Sequence, residues 1–266
     1  MAGNYILKCA CTVAGSDSGG GAGIQADLKT FCAAGVYGVS VITAVTAQNT
    51  GQVLGVWTVP PEMVQLQVDA VFSEFPVGCI KSGMLGSPDI IRALSCSLPA
   101  GVPYVMDPVM ISTSGCDLLS KDSVQDLITL LLPRATVITP NIFEAQVLSG
   151  MEKITDPDLA REAGRRILGL GPEYVVLKGG HLDGDEAVDV LMGHGMEWIC
   201  RGKRYPYDVH GSGCCFSAAL AAFIASGDEV PVAFRKAKDF TAKAIEGAFL
   251  SSSGLRIVNP DAAREK

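Results

Sequence analysis

The sequence predicts an α/β fold, with a mostly parallel sheet covered by helices on both faces, and three observations predict it. Short β-branched or apolar runs alternate with stretches of helical spacing along the chain. Polar or glycine-rich residues gather where the runs end, which in such sheets is the edge where ligands bind. The 266 residues, 48% of them apolar, suffice for one large core.

Residues 9–14 form a short apolar run that breaks into Gly15-Ser16-Asp17-Ser18-Gly19-Gly20-Gly21-Ala22-Gly23, and residues 24–31 then take helical spacing. This reads as strand, glycine loop and helix, with a ligand pocket beginning at the loop. The loop does not match G-x-G-x-x-G, and G-x-x-x-x-G-K followed by Ser or Thr occurs nowhere, which argues against a Rossmann dehydrogenase and a Walker ATPase. Cys9 and Cys11 alternate within the first strand as core residues. Residues 38–46 predict a second strand that delivers Gln48 and Asn49 to a loop. Their amides suit either the polar edge of a heterocycle or an ordinary turn. Residues 53–59 are extended, as an edge strand or flap, and residues 62–72 are helical.

Residues 77–81 give a strand leading to Ser82-Gly83-Met84-Leu85, residues 88–98 a helix, and residues 104–106 a strand ending at Asp107-Pro108-Val109-Met110. An acidic residue just past a buried strand can hold a magnesium ion or its water, or only cap the next turn. Residues 135–138 repeat the arrangement and end at Thr139-Pro140-Asn141. Glu144, three residues on, stands where it would complete a capping box or orient metal-bound water. Residues 174–177 form another strand, followed by Lys178-Gly179-Gly180-His181, where the lysine can reach a phosphate as a point charge. Residues 187–192 and 197–200 pair as a hairpin through Gly193-His194-Gly195, which makes His194 a turn residue.

The stretch Asp208-Val209-His210-Gly211-Ser212-Gly213-Cys214-Cys215 runs directly into an apolar helical pattern over residues 217–224. Glycine permits the turn, and the unpartnered first amides of the helix can point at an anion. The side chain facing a transferring group there would be Cys214 or Cys215, its thiol pKa lowered by the helix N-terminus. A linker with a cap and two buried cysteines is the plainer alternative. Residues 230–250 predict a last helix packed on the outside.

A net charge of −7 with no Lys/Arg run argues against non-specific nucleic-acid or anionic-membrane binding and favours small-molecule chemistry. No apolar run approaches the roughly 18 residues of a membrane span. Residues 1–8 lack a signal-peptide layout, so a cytoplasmic protein is expected. Nine scattered cysteines without a CxxC pair read as reduced thiols. No histidine pair has metal-ligand spacing.

In order and content, Ala14-Gly15-Ser16-Asp17 with residues 19–31, residues 43–50, Lys81-Ser82-Gly83-Met84-Leu85, Asp107-Pro108-Val109-Met110, Thr139-Pro140-Asn141 with Glu144, residues 178–181 and His210-Gly211-Ser212-Gly213-Cys214 form a specific set. The set closely resembles the hydroxymethylpyrimidine/phosphomethylpyrimidine kinases of thiamin biosynthesis, members of the ribokinase superfamily. The resemblance runs through nearly the whole chain. It implies a ribokinase-like three-layer α/β/α fold with a mostly parallel central sheet, as a single kinase domain over residues 1–266. It implies ATP-dependent phosphorylation of 4-amino-5-hydroxymethyl-2-methylpyrimidine and of its monophosphate, with magnesium, in a homodimer. The pyrimidine pocket carries over onto Gly15, Asp27, Gln48, Met84 and Val109, with Asp27 and Gln48 pairing with the ring edge. Lys178 with Gly211, Ser212, Gly213 and Cys214 would serve the transferring phosphoryl group. Asn141 and His210 would join Lys178, Gly211 and Gly213 around the nucleotide, and Asp107 and Glu144 would manage magnesium and its water. Cys214 stands where sugar-kinase relatives have an aspartate base. Ser18 replaces a customary proline, Ser212 and Cys215 replace threonines, and residues 207–210 are less typical. A pyridoxal or pyridoxine kinase of the same superfamily is the nearest rival reading, and a catalytically silent pyrimidine-binding protein is the rival of another class.

Overall fold

The computed structural model describes residues 7–110, 120–179 and 186–264. Among the described residues one sheet comprises β1 (Cys9–Asp17), β2 (Tyr37–Gln48), β3 (Val53–Thr58), β4 (Val77–Ser82), β5 (Tyr104–Met106), β6 (Val137–Ile138), β7 (Tyr174–Leu177), β8 (Glu186–Gly193) and β9 (Met196–Lys203). Their order across the sheet is β3-β2-β1-β4-β5-β6-β7-β8-β9. The six strands from β2 to β7 in that order are parallel, whereas β3 at one edge and β8 and β9 at the other run antiparallel to their neighbours.

The helices are α1 (Gly23–Ala33), α2 (Pro61–Glu74), α3 (Pro88–Ser97), α4 (Lys121–Asp126), α5 (Ile142–Ser149), α6 (Pro157–Leu168), α7 (Ser212–Ala225) and α8 (Val230–Glu246). Alternation along the strands explains why both faces are covered. Cys9, Cys11 and Val13 of β1 join one core with Ile80, Met106, Ile138 and Val175, under α2 to α6. Ala10 joins the other with Cys79, Val105, Val137 and Val176, under α1, α7 and α8. A strand apolar on both sides must be buried on both, which gives the three-layer, ribokinase-like α/β/α arrangement.

Local signals start the helices. Asp156 accepts from the amides of Asp158 and Leu159 at 3.0 and 2.9 Å, with Pro157 in the first turn of α6. Asn141 and Glu144 form a reciprocal capping box at α5, and Gly150 ends that helix in the left-handed region. A small second sheet, β10 (Val209–His210), β12 (Arg256–Ile257) and β11 (Phe249–Leu250) in that order, closes over the start of α7.

Some expected element ends differ from what is observed. β1 continues past Ala14 to Asp17, because Ser16 and Asp17 still pair with Val45 and Thr46 beyond a bulge. The last helix stops at Glu246, since Phe249 and Leu250 pair with β12 instead. The segment from α4 to β6, which lacks clear periodicity in sequence, is a short helix relaxed into a wider turn at Leu127–Leu131 and a tighter one at Leu132–Arg134. The hairpin turn is as its residues suggest: His194 and Gly195 take φ of 51° and 74°. Gly180 and His181 lie outside the described residues. Among the described residues no helix is long and apolar enough to cross a membrane.

Candidate active site

The alternation that divides the two cores also places polar groups. Thr12, Lys81, Asp107, Thr139 and Lys178 each follow by two residues a side chain buried under α1, α7 and α8, so they emerge on that helical side at the strand ends. Three of them bond to one another there, and Thr12 and Lys81 both bond to Asp27. Asp107 Oδ1 accepts from Lys178 Nζ at 3.0 Å and from Thr139 at 3.3 Å, and its Oδ2 accepts from Ser217 of α7 at 3.0 Å. Asp107 is therefore a junction between the sheet and α7.

Two glycine loops interlock beside this row. Asp17 collects the first: its carboxylate accepts from the amides of Gly19, Gly21 and Ala22 at 2.8, 3.1 and 2.9 Å, and His210 Nε2 lies 3.3 Å from it. The second turns at Gly211, whose φ is 82° and where a Cβ would stand 1.8 Å from the Gly21 carbonyl oxygen. Only glycine allows that approach. Among the described residues no side chain caps α7, so its first amides are open to an anion. Lys178 Nζ lies 3.6 Å from where a Gly213 Cβ would be.

A cleft of about 850 Å³ runs along these groups. It is lined by Gly15, Gln48, Met84, Val109, Asp107, Asn141, Glu144, Lys178, His210, Gly211, Ser212, Gly213 and Cys214. Strand order separates them: Gln48 on β2, Met84 after β4 and Val109 after β5 occupy one half, Asn141 after β6 and Lys178 after β7 the other. Asp27 is the correction. It is fully buried in α1, its oxygens taken by Thr12 at 2.6 Å and by Lys81 at 3.0 and 2.9 Å, and it does not border the cleft. Lys81 borders the cleft in its place. Asn49 is a turn residue, its Oδ1 accepting from the amides of Gly51 and Gln52. Ser18 bonds both the amide and the carbonyl of Gln48 at 2.8 Å, tying the glycine loop to the end of β2.

The charges follow from burial. Burial pushes the Cys214 thiol up to about 11, against the Lys81 ammonium and the Gly23 amide, while Asp27 and Asp107 push it further. The lowering expected at a helix N-terminus is thus outweighed by desolvation and two nearby carboxylates. Cys215, next in the chain, points into the core and its thiol is raised to about 12 by burial. Burial likewise raises Glu144 to about 7, opposed by Lys178 and aided by Asp107. Burial alone would lower Lys178, yet Asp107 and Glu144 hold it above the ordinary lysine value.

A family model described as Phosphomethylpyrimidine kinase matches residues 17–259. The chain belongs to the phosphomethylpyrimidine kinase family. It is 47% identical over 246 residues to a hydroxymethylpyrimidine/phosphomethylpyrimidine kinase of Rhizobium meliloti, covering 91% of this chain and 92% of the relative. A phosphomethylpyrimidine kinase structure from Clostridium difficile superposes with a TM-score of 0.78 at 44% identity, over 89% of this chain and 99% of that one. A Bacillus subtilis pyridoxal kinase, solved as an ADP complex, superposes with a TM-score of 0.86 at 36% identity, over 97% of this chain and 99% of that one.

In this member of the phosphomethylpyrimidine kinase family, the far half of the cleft is walled by residues the sequence reading did not single out. Arg201, Lys203, Arg204 and Tyr205 at the end of β9, with Lys238, Thr241 and Ile245 of α8, line it beside Tyr207 and Asp208. The Arg256 guanidinium stacks 4.1 Å from the Tyr207 ring centroid. Three basic residues in four directly ahead of Tyr205 were the available signal. Asp189, which accepts from the Gly179 amide at 3.0 Å and Lys238 at 2.8 Å, ties this wall to the loop after β7.

Asp107 and Glu144 are carboxylates that line the cleft beside Lys178. Two carboxylates completed by water and phosphate oxygens are a donor set magnesium accepts. Asp107 already accepts three hydrogen bonds, and Glu144 Oε2 accepts from the Asn141 amide at 2.8 Å. The pair fits a role in holding the ion's waters. Among the described residues no group of three or more His, Cys, Asp or Glu forms a metal cluster.

Proposed function

We propose that the chain transfers the γ-phosphoryl group of ATP to the hydroxymethyl oxygen of 4-amino-5-hydroxymethyl-2-methylpyrimidine, and then to the resulting monophosphate, in thiamin biosynthesis. The observation that carries this reading is the continuity of the cleft. The cleft runs from Gln48, Met84 and Val109 to an uncapped helix start and Lys178, with Cys214 also in its lining. Gln48 would read the ring edge, and Gly15 would let the ring lie close to the backbone. The amides of Ser212, Gly213 and Cys214 and the Lys178 ammonium would hold the oxygens of the transferring group, for which positioning and charge neutralisation supply most of the catalysis. Asn141 and the basic wall from Arg201 to Arg204 would receive the rest of the nucleotide.

The hydroxymethyl oxygen gives its proton to the Cys214 thiolate as it bonds to the γ-phosphorus. The bond to the ADP oxygen breaks, its electron pair leaves with ADP, and the thiol returns its proton to water. Magnesium, when bound through waters held by Asp107 and Glu144, would offset negative charge on the phosphate oxygens. The cytoplasm, which supplies ATP, is the compartment this reading requires, and a homodimer is the state we assign it.

Pyridoxal phosphorylation is the second reading, favoured by the higher TM-score and fuller coverage of the pyridoxal kinase structures; the higher identity to the pyrimidine kinases favours the first. ADP release measured in parallel with hydroxymethylpyrimidine, its monophosphate and pyridoxal decides. Turnover greatest with the two pyrimidines is expected. Turnover only with pyridoxal, or none with any acceptor, overturns the first reading.

A further inference from the structure

Asp189 is a carboxylate built into a strand. Alternation along β8 turns Leu191 toward the core under α1, α7 and α8 and Val190 toward the other, so Asp189 faces the same side as Leu191. It is only 6% exposed, and both of its oxygens are engaged: Oδ1 accepts from the Gly179 amide at 3.0 Å and Oδ2 from Lys238 Nζ of α8 at 2.8 Å. Lys238 reaches it past Gly202 of β9, where a Cβ would stand 3.2 Å from the lysine Cε. An apolar side chain would fill the same place without the cost of desolvating a charge, so burial alone does not account for the pair.

What the carboxylate holds is the peptide directly after Lys178. Backbone pairing of β7 with β8 runs to Leu177 and Val190, and beyond it the side chain of Asp189 takes the Gly179 amide. Gly179 lets β8 come this near, since a Cβ there would stand 1.9 Å from the Val188 carbonyl oxygen. On its other side Lys178 is pinned as well: its own amide donates to the Pro140 carbonyl at 3.0 Å. Planar peptides held on both sides of one Cα fix the direction in which its Cβ leaves. The side chain aimed in this way lines the cleft, with its Nζ 3.0 Å from Asp107.

We infer that Asp189, braced by Lys238, is a positioning residue for Lys178: it fixes the strand end from which the lysine reaches the transferring phosphoryl group. The inference deepens the proposed function and rests on it for the part Lys178 plays in transfer. Asp189 acts through the Gly179 amide and needs no contact with ATP or the acceptor. The Lys238 ammonium keeps the carboxylate from standing as an unpaired buried charge beside the nucleotide.

The two bonds can be separated by substitution. Asp189→Asn keeps an oxygen for the Gly179 amide and loses the charge that holds Lys238, whereas Asp189→Ala loses both. Asp189→Ala is expected to lower kcat by about 10- to 100-fold while the acceptor KM stays within about threefold. Asp189→Asn is expected to bring kcat back to within about fivefold of the wild type. A pair that served stability alone would lower the urea midpoint of both variants and leave the kcat of the folded proteins alike. Equal losses of kcat in the two variants, or none in folded Asp189→Ala, therefore overturn the inference. Should Asp189→Ala fail to fold because Lys238 is left unpaired, D189A/K238M is compared with K238M; the same drop in kcat is expected between them, and its absence overturns the inference. Calorimetric titration with AMP-PCP needs no acceptor, and binding is expected to weaken by about 5- to 20-fold in Asp189→Ala and by less than about threefold in Asp189→Asn. A wild type that binds AMP-PCP but releases no ADP with any alcohol sinks the functional reading alone. The titration then decides, and equal affinity in both variants overturns the inference. A wild type that binds no nucleotide overturns both.

Discussion

Cys214 keeps its proton at neutral pH because burial, with Asp27 and Asp107, outweighs the Lys81 ammonium and the Gly23 amide. The thiolate is then a minor species whose share grows about tenfold per pH unit below 11, and turnover that depends on it rises with pH over the same interval. Cys214→Ala is expected to lower kcat by about 10²- to 10⁴-fold, to leave pyrimidine binding near the wild-type value, and to flatten the rise of kcat with pH. A kcat profile measured from neutral to alkaline pH on both proteins checks this. Asp17 shows the opposite shift. Burial pushes its carboxyl up, but His210 and the amides of Gly19 and Ala22 outweigh burial and hold it below the usual carboxylate range. Its contribution is therefore complete above the unfolded-state value of about 3.9 and lost as pH falls through the lower folded value. Asp17→Asn should cost about 1–3 kcal/mol at neutral pH, because the buried carboxylate gathers the amides of Gly19, Gly21 and Ala22. The gap between the two urea midpoints should narrow in strongly acidic buffer.

At the scale of elements, the start of α7 depends on one backbone conformation. Gly211 takes φ of 82° with its Cα against the Gly21 carbonyl, whereas Gly35 takes φ of 77° with nothing near its missing Cβ. Gly35→Ala isolates the left-handed strain, about 1–3 kcal/mol. Gly211→Ala adds a collision between the two loops, so its loss of stability should be larger, and the KM for ATP should rise as the amides lose their aim. Urea unfolding of both variants, with ATP titrations of the second, gives the comparison. The turn into this helix was legible in sequence as a glycine cluster running into an apolar pattern, although a linker with a cap fits the same residues. The strand ends were legible for a similar reason: β-branched runs break into polar residues at Asp107, Asn141 and Lys178. Asp27 was not. Its role is set by the register that brings Thr12 beside Lys81, and a register between strands 69 residues apart leaves no mark in local pattern. Nor was the segment from α4 to Arg134, where consecutive leucines fit several helical periods at once.

At the scale of the whole molecule, the β3 edge is one of the places where the fold leaves large apolar groups uncovered. β3 is an edge strand exposed on both sides, with Leu54 and Trp57 at 70% and 68% exposure, and Met63 and Leu66 of α2 are exposed after it. An open edge bearing large apolar groups invites pairing with another chain unless something blunts it. A homodimer formed here would cover the patch, and it would also bear on the cleft. Val53 of β3 pairs with Gln48, so whatever holds β3 still also holds the strand end that carries Gln48 into the cleft. Trp57→Glu places an unpaired carboxylate in such an interface, which costs enough to weaken the dimer by at least about tenfold. Because Trp57 is exposed in the single chain, the substitution should leave the unfolding midpoint of the monomer nearly unchanged. Light scattering across a dilution series should show the wild type dimeric where the variant is monomeric. The acceptor KM of the variant should then rise several-fold while the KM for ATP, which is read from the opposite half of the sheet, stays put. A variant that remains dimeric, or a wild type that is monomeric throughout, would place the contact elsewhere or remove it.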